Sequence, residues 1–126
     1  MANYQKASAS FAGRSELHDL LGLSSCEVSL NSLPEGAHVP FVHSHTHNEE
    51  VYIILEGEGE FFLDGEVESL KPHDVLRVDP QCVRAIRAKL GTLKFICIQA
   101  KQHSLEGFTM SDAKIPEGPL PNWLLK

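Results

Sequence analysis

Residues 36–59 of this 126-residue chain read GAHVPFVHSHTHNEEVYIILEGEG. The segment contains an apolar run, Val51–Leu55, of the kind that forms a buried β-strand. Gly57 and Gly59 mark the end of the run, where a strand must bend or let another backbone come close. Since Glu60–Leu63 again has strand composition, we predict that the strand resumes after this irregularity.

Possible metal ligands lie directly before the apolar run. His43, His45 and His47 occupy alternate positions, and Glu49 and Glu50 follow them. Side chains two apart on an extended strand point to the same face, so the imidazoles gather on one side. Two neutral imidazoles with a carboxylate form a first shell for a divalent metal that leaves coordination positions open. Closely spaced histidines also occur in solvated loops, but the paired glutamates and the buried-type strand favour a metal site.

The rest of the chain alternates short strands with turns. Asp64-Gly65 is a strong hairpin signal because both residues tolerate positive φ. A short helix is predicted from Ser15, as N-cap, to Leu21, ending near Gly22. Further strands are predicted at 26–31, 66–70, 75–78, 83–89 and 92–100, the last two joined near Gly91. Many short strands without a long crossover helix indicate a mainly β fold, an antiparallel barrel or sandwich.

The spacing of the histidines and the glutamate resembles the first motif of the cupins. The matching residues are His43, His45, Glu50 and Gly57, with Gly36 close to the leading glycine of the motif. The resemblance implies an antiparallel jelly-roll β-barrel, or double-stranded β-helix. It also implies that His43, His45 and Glu50 hold a divalent transition metal, Fe, Mn, Ni or Zn, inside the barrel.

The second cupin motif is degenerate in this chain. Residues 65–88 cover its span, with Asp74 and Pro80 well placed, but two of its usual glycines are replaced. Ala85 stands where the resemblance puts a fourth metal ligand, a histidine. The resemblance therefore implies a three-ligand metal site or a site without functional metal.

Two further residues are candidates for binding a substrate. Arg84 lies in the second-motif region, near the predicted mouth of the barrel, and its guanidinium can hold an anionic group bidentately. Tyr52 is two residues from Glu50 and therefore projects to the same side of the strand. The alternatives are an ordinary ion-paired arginine and a tyrosine that belongs to the core.

Composition restricts the partners and the location of the protein. Acidic residues outnumber basic ones by 17 to 11, giving a net charge of −6, which argues against nucleic acid or an anionic membrane surface as a partner. Three widely separated cysteines without CxxC spacing fit a reducing compartment. No stretch has the length and apolar character of a membrane span or a signal peptide. We therefore predict a cytoplasmic protein that binds a small molecule.

The sequence divides into three parts. Residues 1–14 form a polar N-terminal arm, residues 15–100 the barrel, and residues 101–126 a tail rich in glycine and proline. Trp123 is too apolar to remain in water without cause, so the tail is expected to pack on the barrel or on a partner subunit; the alternative is a disordered tail, since termini fray unless they are held. We also expect a homodimer, because small jelly rolls expose edge strands that pairing across a two-fold axis can cover.

Two functions remain open at this stage. The first is a metal-binding small cupin acting on a small molecule by oxygenation, isomerisation or decarboxylation. The second is a non-catalytic cupin that binds a small metabolite or sugar without a functional metal, which is motivated by Ala85. Whether the chain is an enzyme is left undecided.

Overall fold

The computed structural model describes residues 3–125. Its elements are β1 (Arg14–Glu16), α1 (His18–Leu21), β2 (Glu27–Leu33), β3 (Asn48–Leu63), β4 (Glu66–Leu70), β5 (Val75–Val78), β6 (Arg84–Lys101) and a 3₁₀ turn at Asn122–Leu124. The protein is therefore mainly β, as predicted. No helix within these residues is long and apolar enough to cross a membrane.

Two long antiparallel strands, β3 and β6, organise the sheet. They pair along their whole length, from Asn48 opposite Lys101 to Leu63 opposite Arg84. The strand order is β1-β2-β6-β3-β4, and β5 pairs with the first half of β3. Because β3 and β6 pass through both halves of the sheet, they connect the half that carries β2 and β5 with the half that carries β4.

The sheet is not closed by hydrogen bonds, which corrects the prediction of a barrel. Residues 34–47 run beside β6 and make two isolated bridges to it, His38 with Arg87 and His43 with Arg84. Pro34 and Pro40 interrupt this segment, and proline has no N–H to donate to a ladder. The segment therefore lies along β6 without becoming a regular strand, and the sheet keeps open edges.

The glycine-marked irregularity in β3 is confirmed. The register between β3 and β6 shifts between Ile54 and Gly59. A Cβ at Gly57, whose φ is +79°, would lie 2.2 Å from the backbone oxygen of Thr92. A Cβ at Gly59 would lie 2.3 Å from the backbone oxygen of Arg87. Both glycines are needed because the bend brings the backbone of β6 against them.

The predicted hairpin at Asp64-Gly65 is also confirmed. Both residues have positive φ, 49° and 87°, and join β3 to β4 with Leu63 opposite Glu66. The predicted last pair of strands, 83–89 and 92–100, is wrong, since β6 is one strand of 18 residues. Gly91 does not reverse the chain because Leu90 and Lys94 both pair with β3, so β6 follows β3 around the bend.

The predicted helix from Ser15 to Leu21 is reduced to the four residues of α1. Ser15 does not cap it, because Ser15 pairs with Leu30 in the sheet and its hydroxyl donates to the carbonyl of Ser10. Glu27 instead accepts hydrogen bonds from the N–H groups of Leu17 and His18. The carboxylate of Glu27 in β2 therefore accepts from the N–H groups at the start of α1, a role that was predicted for the hydroxyl of Ser15.

The core is built mainly from side chains of β3 and β6, in both halves of the sheet. It consists of ten buried side chains: Tyr52, Ile54, Phe61, Leu70, Val78, Ile86, Ala88, Leu93, Phe95 and Cys97. Strand β2 contributes polar residues to the inner side, since Ser29 and Asn31 are buried while Val28 and Leu30 are only half-buried. The polar face of β2, not its apolar face, is therefore the more buried one. The apolar tail residues are exposed in the single chain, with Trp123 at 75%.

Candidate metal centre

The loop that carries the histidines is held against the start of β6 and the turn before it. His43 donates its N–H to the carbonyl of Arg84 at 3.1 Å and accepts a hydrogen bond from the N–H of Arg84 at 2.9 Å. His45 donates to the carbonyl of Pro80 at 2.7 Å. His43 and His45 are half-buried whereas Ser44 is exposed, as expected for an extended segment with one side turned inward. These backbone contacts fix both imidazoles without using their ring nitrogens.

The structure brings His43, His45 and Glu50 together. One potential ligand atom from each lies within 4.8 Å of the other two. Glu50 is 2% exposed, and it lies on β3 opposite Val78 of β5. Glu49 is the neighbouring residue on the strand and projects to the opposite face, and His47 is exposed. The geometry therefore selects the same three residues that the first-motif resemblance implied.

Two imidazole nitrogens in this group lack hydrogen-bond partners among residues 3–125. His43 Nδ1 and His45 Nε2 are both buried without one. His45 Nε2 lies 3.3 Å from Glu50 Oε2, but the angles are not those of a hydrogen bond. A buried polar atom without a partner costs about 1–3 kcal/mol. A divalent ion would coordinate both nitrogens and the carboxylate, so the residues present fit a metal.

The electrostatic surroundings keep His43 in the form that a metal requires. Burial lowers the pKa of His43, and the charges of His45 and Arg84 act in the same direction. The negative charge of Glu50 opposes this effect but does not outweigh it. His43 is therefore neutral at pH 7 and has a lone pair available for coordination.

Glu50 is surrounded by donors. Tyr52 donates its hydroxyl to Glu50 Oε1 at 2.8 Å, and Cys97 Sγ lies 3.5 Å from Oε2. Burial and the carboxylate of Glu50 raise the pKa of Tyr52, and they raise the pKa of Cys97 to about 12. Both groups therefore keep their protons at neutral pH. Cys97 and Tyr52 are opposite each other on β6 and β3, so the sheet register places both beside the carboxylate.

Arg84 is the second-motif residue that meets Glu50. It is 1% exposed, and its Nε lies 3.4 Å from Glu50 Oε1. Its terminal nitrogens donate to the backbone carbonyls of Asp79, at 2.9 Å, and Pro80, at 3.4 Å. Ala85 is the next residue on β6 and its side chain leaves on the other face. The position facing the carboxylate thus carries a guanidinium, which cannot ligate a metal.

The three residues open onto a cavity of about 590 Å³. Its wall includes both proposed substrate-binding residues, Tyr52 and Arg84. Sequence reasoning missed several residues that line the cavity: Arg14, Asn31, Phe41, Phe95, Cys97 and Gln99. The alternation in β2 contained a signal for Asn31, because Glu27, Ser29 and Asn31 are polar residues at alternate positions of that strand.

Comparison with known proteins gives one family. A family model described as the cupin domain matches residues 29–99. No match was found among curated proteins. Among solved structures, a cupin protein from Bacteroides fragilis is 50% identical, with a TM-score of 0.89 over 93% of this chain and 100% of that chain.

Two more distant structures are also similar. A predicted oxalate decarboxylase from Thermotoga maritima is 28% identical, with a TM-score of 0.54, covering 60% of this chain and 64% of that chain. A cupin domain from Schizosaccharomyces pombe is 22% identical, with a TM-score of 0.58, covering 62% of this chain and 57% of that chain. The second of these likenesses concerns the fold alone.

Proposed function

The chain belongs to the cupin family, and we propose that it is a metal-dependent member that acts on a small molecule. The observation that carries this proposal is the convergence of His43, His45 and Glu50, together with two buried imidazole nitrogens that have no hydrogen-bond partner in the described part of the chain. The proposed ion is a divalent transition metal, Fe, Mn, Ni or Zn. When bound, such an ion would supply a Lewis acid with coordination positions open to a ligand.

The residues around Glu50 prepare its carboxylate for a metal. Tyr52 and Arg84 both approach Oε1, at 2.8 Å and 3.4 Å. Oε2 is the oxygen near His45 Nε2. The hydrogen bond from Tyr52 and the charge of Arg84 hold Oε1, whereas Oε2 meets the weak thiol donor of Cys97 at 3.5 Å. Orienting a ligand carboxylate in this way is the usual role of the groups behind it. Tyr52 and Arg84 also remain our candidates for contact with the substrate, because both line the cavity.

The cavity suits a compact organic molecule. Its volume of about 590 Å³ is within the usual range for small-molecule sites. Phe41 and Phe95 contribute apolar surface to the wall. We leave the reaction open between oxygenation, isomerisation and decarboxylation. The likeness to a predicted oxalate decarboxylase is a reason to include small carboxylic acids in a substrate screen.

A second candidate is a non-catalytic cupin that binds a small metabolite or sugar without a functional metal. Arg84 is the specific observation in its favour. Its positive charge lies 3.4 Å from the carboxylate that would ligate the metal and competes with the ion for that negative charge. In a cupin of this second kind, the Arg84–Glu50 ion pair would form part of the cavity wall, and ligand binding would not require a metal.

Metal analysis separates the two candidates. Untagged protein, purified without chelator, is analysed for transition metals beside His43→Ala/His45→Ala. The matched control is His47→Ala/His103→Ala, which removes two exposed histidines outside the group. The metal-dependent function predicts close to one ion per chain in the wild type and in the control, and none in the first variant. An empty wild type that stays empty after metal is added back would leave the non-catalytic candidate.

We also propose a homodimer formed by the outer face of the sheet. Apolar residues of β2, β6, β3 and β5 stand in register there: Leu30, Ile96, Ile53 and Val75 in one row, and Val28, Ile98 and Val51 in the next. Val75 is 68% exposed and the other six are half-buried. Four strands spaced at about 4.8 Å and two rows spaced at about 6.8 Å give these rows an area of roughly 260 Å², so a dimer interface needs further area from outside them.

Charge at the two ends of this face fits a second copy of the chain. Lys94 and Glu56 lie at one end, 3.4 Å apart, and Glu49 lies on the same face at the other. A two-fold axis across the strands would set Lys94 of one copy above Glu49 of the other. A typical interface buries about 800 Å² per partner. The exposed apolar tail, including Trp123, is proposed to supply the remaining area.

A cytoplasmic location is our proposal from the cysteine content, since Cys26, Cys82 and Cys97 form no disulfide.

A further inference from the structure

The side chains that line the cavity carry more permanent positive charge than negative charge. Among the described residues that line it, Arg14 and Arg84 carry permanent positive charge and Glu50 is the carboxylate. The chain as a whole has a net charge of −6. A cationic cavity in an acidic protein is not a consequence of average composition, and it calls for an explanation specific to the site.

The two arginines differ in what they are free to do. Arg84 is buried, lies beside Glu50 and donates to two backbone carbonyls. Its charge is therefore already compensated. Arg14 comes from β1, which lies at the edge of the sheet beside β2. Its side chain is 50% exposed, so it is reached by solvent as well as by the cavity.

Arg14 keeps donors available for a ligand. Its two terminal nitrogens donate to Asn31 Oδ1 at 3.0 Å and to Glu16 Oε2 at 3.2 Å. A guanidinium has five N–H donors, so two hydrogen bonds leave three. The ion pair with Glu16 is exposed, and exposed pairs contribute little net free energy. Asn31 is 6% exposed and orients the guanidinium from the cavity side.

Arg14 lines the same cavity as the candidate metal ligands His43, His45 and Glu50. A molecule held at one end by Arg14 can therefore extend through the cavity toward these ligands.

We propose that the cavity binds a small carboxylic acid, with its carboxylate held by Arg14 at the mouth and its carbon skeleton against Phe41 and Phe95. This inference deepens the proposed function, since it rests on the cavity being a small-molecule site. It does not depend on the metal, because the imbalance of charge is present in the protein side chains alone. The aromatic wall favours an organic acid over an inorganic anion, which has no apolar surface to bury.

Benzoate and benzamide test the proposal because they have nearly the same shape and differ in charge. Their dissociation constants are measured by calorimetry on metal-free protein and on protein loaded with Zn²⁺. The proteins are the wild type, Arg14→Gln, Arg14→Lys and the control Arg77→Gln, which alters an exposed, ion-paired arginine of β5. Inorganic phosphate is included as an anion without apolar surface.

We expect the wild type to prefer benzoate over benzamide by about tenfold, the effect of one charge-assisted hydrogen bond. The preference should disappear in Arg14→Gln, persist in part in Arg14→Lys and be unchanged in Arg77→Gln. Equal affinity for the two probes, an unchanged preference in Arg14→Gln, tighter binding of phosphate, or no saturable binding of benzoate at millimolar concentration would each overturn the proposal.

The metal-free arm keeps this inference separate from the proposed function. If the protein binds no metal but prefers benzoate through Arg14, the metal-dependent function fails and the inference stands. If the protein binds metal through His43 and His45 but shows no preference for benzoate, the inference fails and the metal-dependent function stands.

Discussion

At the scale of single residues, the buried pair of Arg84 and Glu50 is the most consequential contact in the molecule. Both side chains are almost fully inaccessible, at 1% and 2% exposure. Transferring either charge from water into the protein is costly unless the other is present. The two charges therefore stabilise the fold as a unit, whatever is bound beside them.

Arg84→Met should lower the free energy of unfolding by about 3–5 kcal/mol, because it leaves Glu50 charged and buried without compensation. Adding Glu50→Gln in the same chain should recover part of the loss, since no unpaired charge remains. Urea unfolding of both single variants and the double variant measures this coupling. Arg77→Met, at an exposed position, is the control and should change stability by less than about 0.5 kcal/mol. Additive losses in the double variant would contradict the coupling.

At the scale of elements, the shared bend of β3 and β6 decides how the sheet curls. Gly57 combines two requirements that can be separated by mutation, a positive φ and the close approach of Thr92. Gly65 in the hairpin has the first requirement only, because nothing lies within 4 Å of the position of its Cβ. The two glycines therefore form a matched pair.

Gly65→Ala should cost about 1–2 kcal/mol from backbone strain alone. Gly57→Ala should cost about 1–3 kcal/mol more, because the new methyl group would collide with a backbone oxygen 2.2 Å away. The comparison is made by urea unfolding with a common m-value. Equal losses in the two variants would show that the approach of Thr92 does not constrain the bend.

A cross-strand ion pair beyond the bend should make stability depend on pH. Glu60 on β3 lies opposite Arg87 on β6, and the hydrogen bond from Arg87 is the main reason why the pKa of Glu60 lies below its ordinary value of 4.5. A carboxyl group with a depressed pKa in the folded state adds stability above its unfolded pKa. That contribution is lost as the pH falls from 4.5 through the folded value.

Glu60→Gln should therefore flatten the loss of stability below pH 4.5 and leave the slope above that pH unchanged. Unfolding is measured between pH 3 and pH 7 at low salt. Glu66→Gln, on the exposed strand β4, serves as the control and forms no salt bridge in the described part of the chain. If the stability of Glu60→Gln fell as steeply with decreasing pH as that of the wild type, the attribution of this pH dependence to Glu60 would be wrong.

At the scale of the whole molecule, the sheet has an inner side with polar groups and an outer side with apolar rows. Ser29 and Asn31 face the cavity side, whereas Val28 and Leu30 face outward. This reversal of the usual arrangement is understandable if the inner side binds a small molecule and the outer side is covered by another subunit.

Ile96→Glu, in the centre of the outer face, should convert a dimer into a monomer, because it would bury a charge without a partner in the interface. Sedimentation velocity at micromolar concentration measures the change. Val67→Glu places the same charge on exposed β4 and should leave the assembly unchanged. A wild type that sediments as a monomer at this concentration would remove the proposal of a dimer.

The sequence by itself determined features that depend on neighbouring residues. The hairpin at Asp64-Gly65 follows from two residues that tolerate positive φ. The break in β3 follows from Gly57 and Gly59, which lack a Cβ. The group of His43, His45 and Glu50 comes from a single short segment, so its spacing was readable before the fold was known. Turn dihedrals and strand alternation are local, and local sequence therefore carries them.

Only the tertiary structure decided which distant residues meet these local features. It set Arg84 rather than Ala85 beside Glu50, and it brought Arg14 from the predicted arm to the cavity. It also joined two predicted strands into β6 and left the sheet open. The physical reason is register: each of these outcomes depends on how strands far apart in the chain pair, and a shift of one residue exchanges the two faces of a strand.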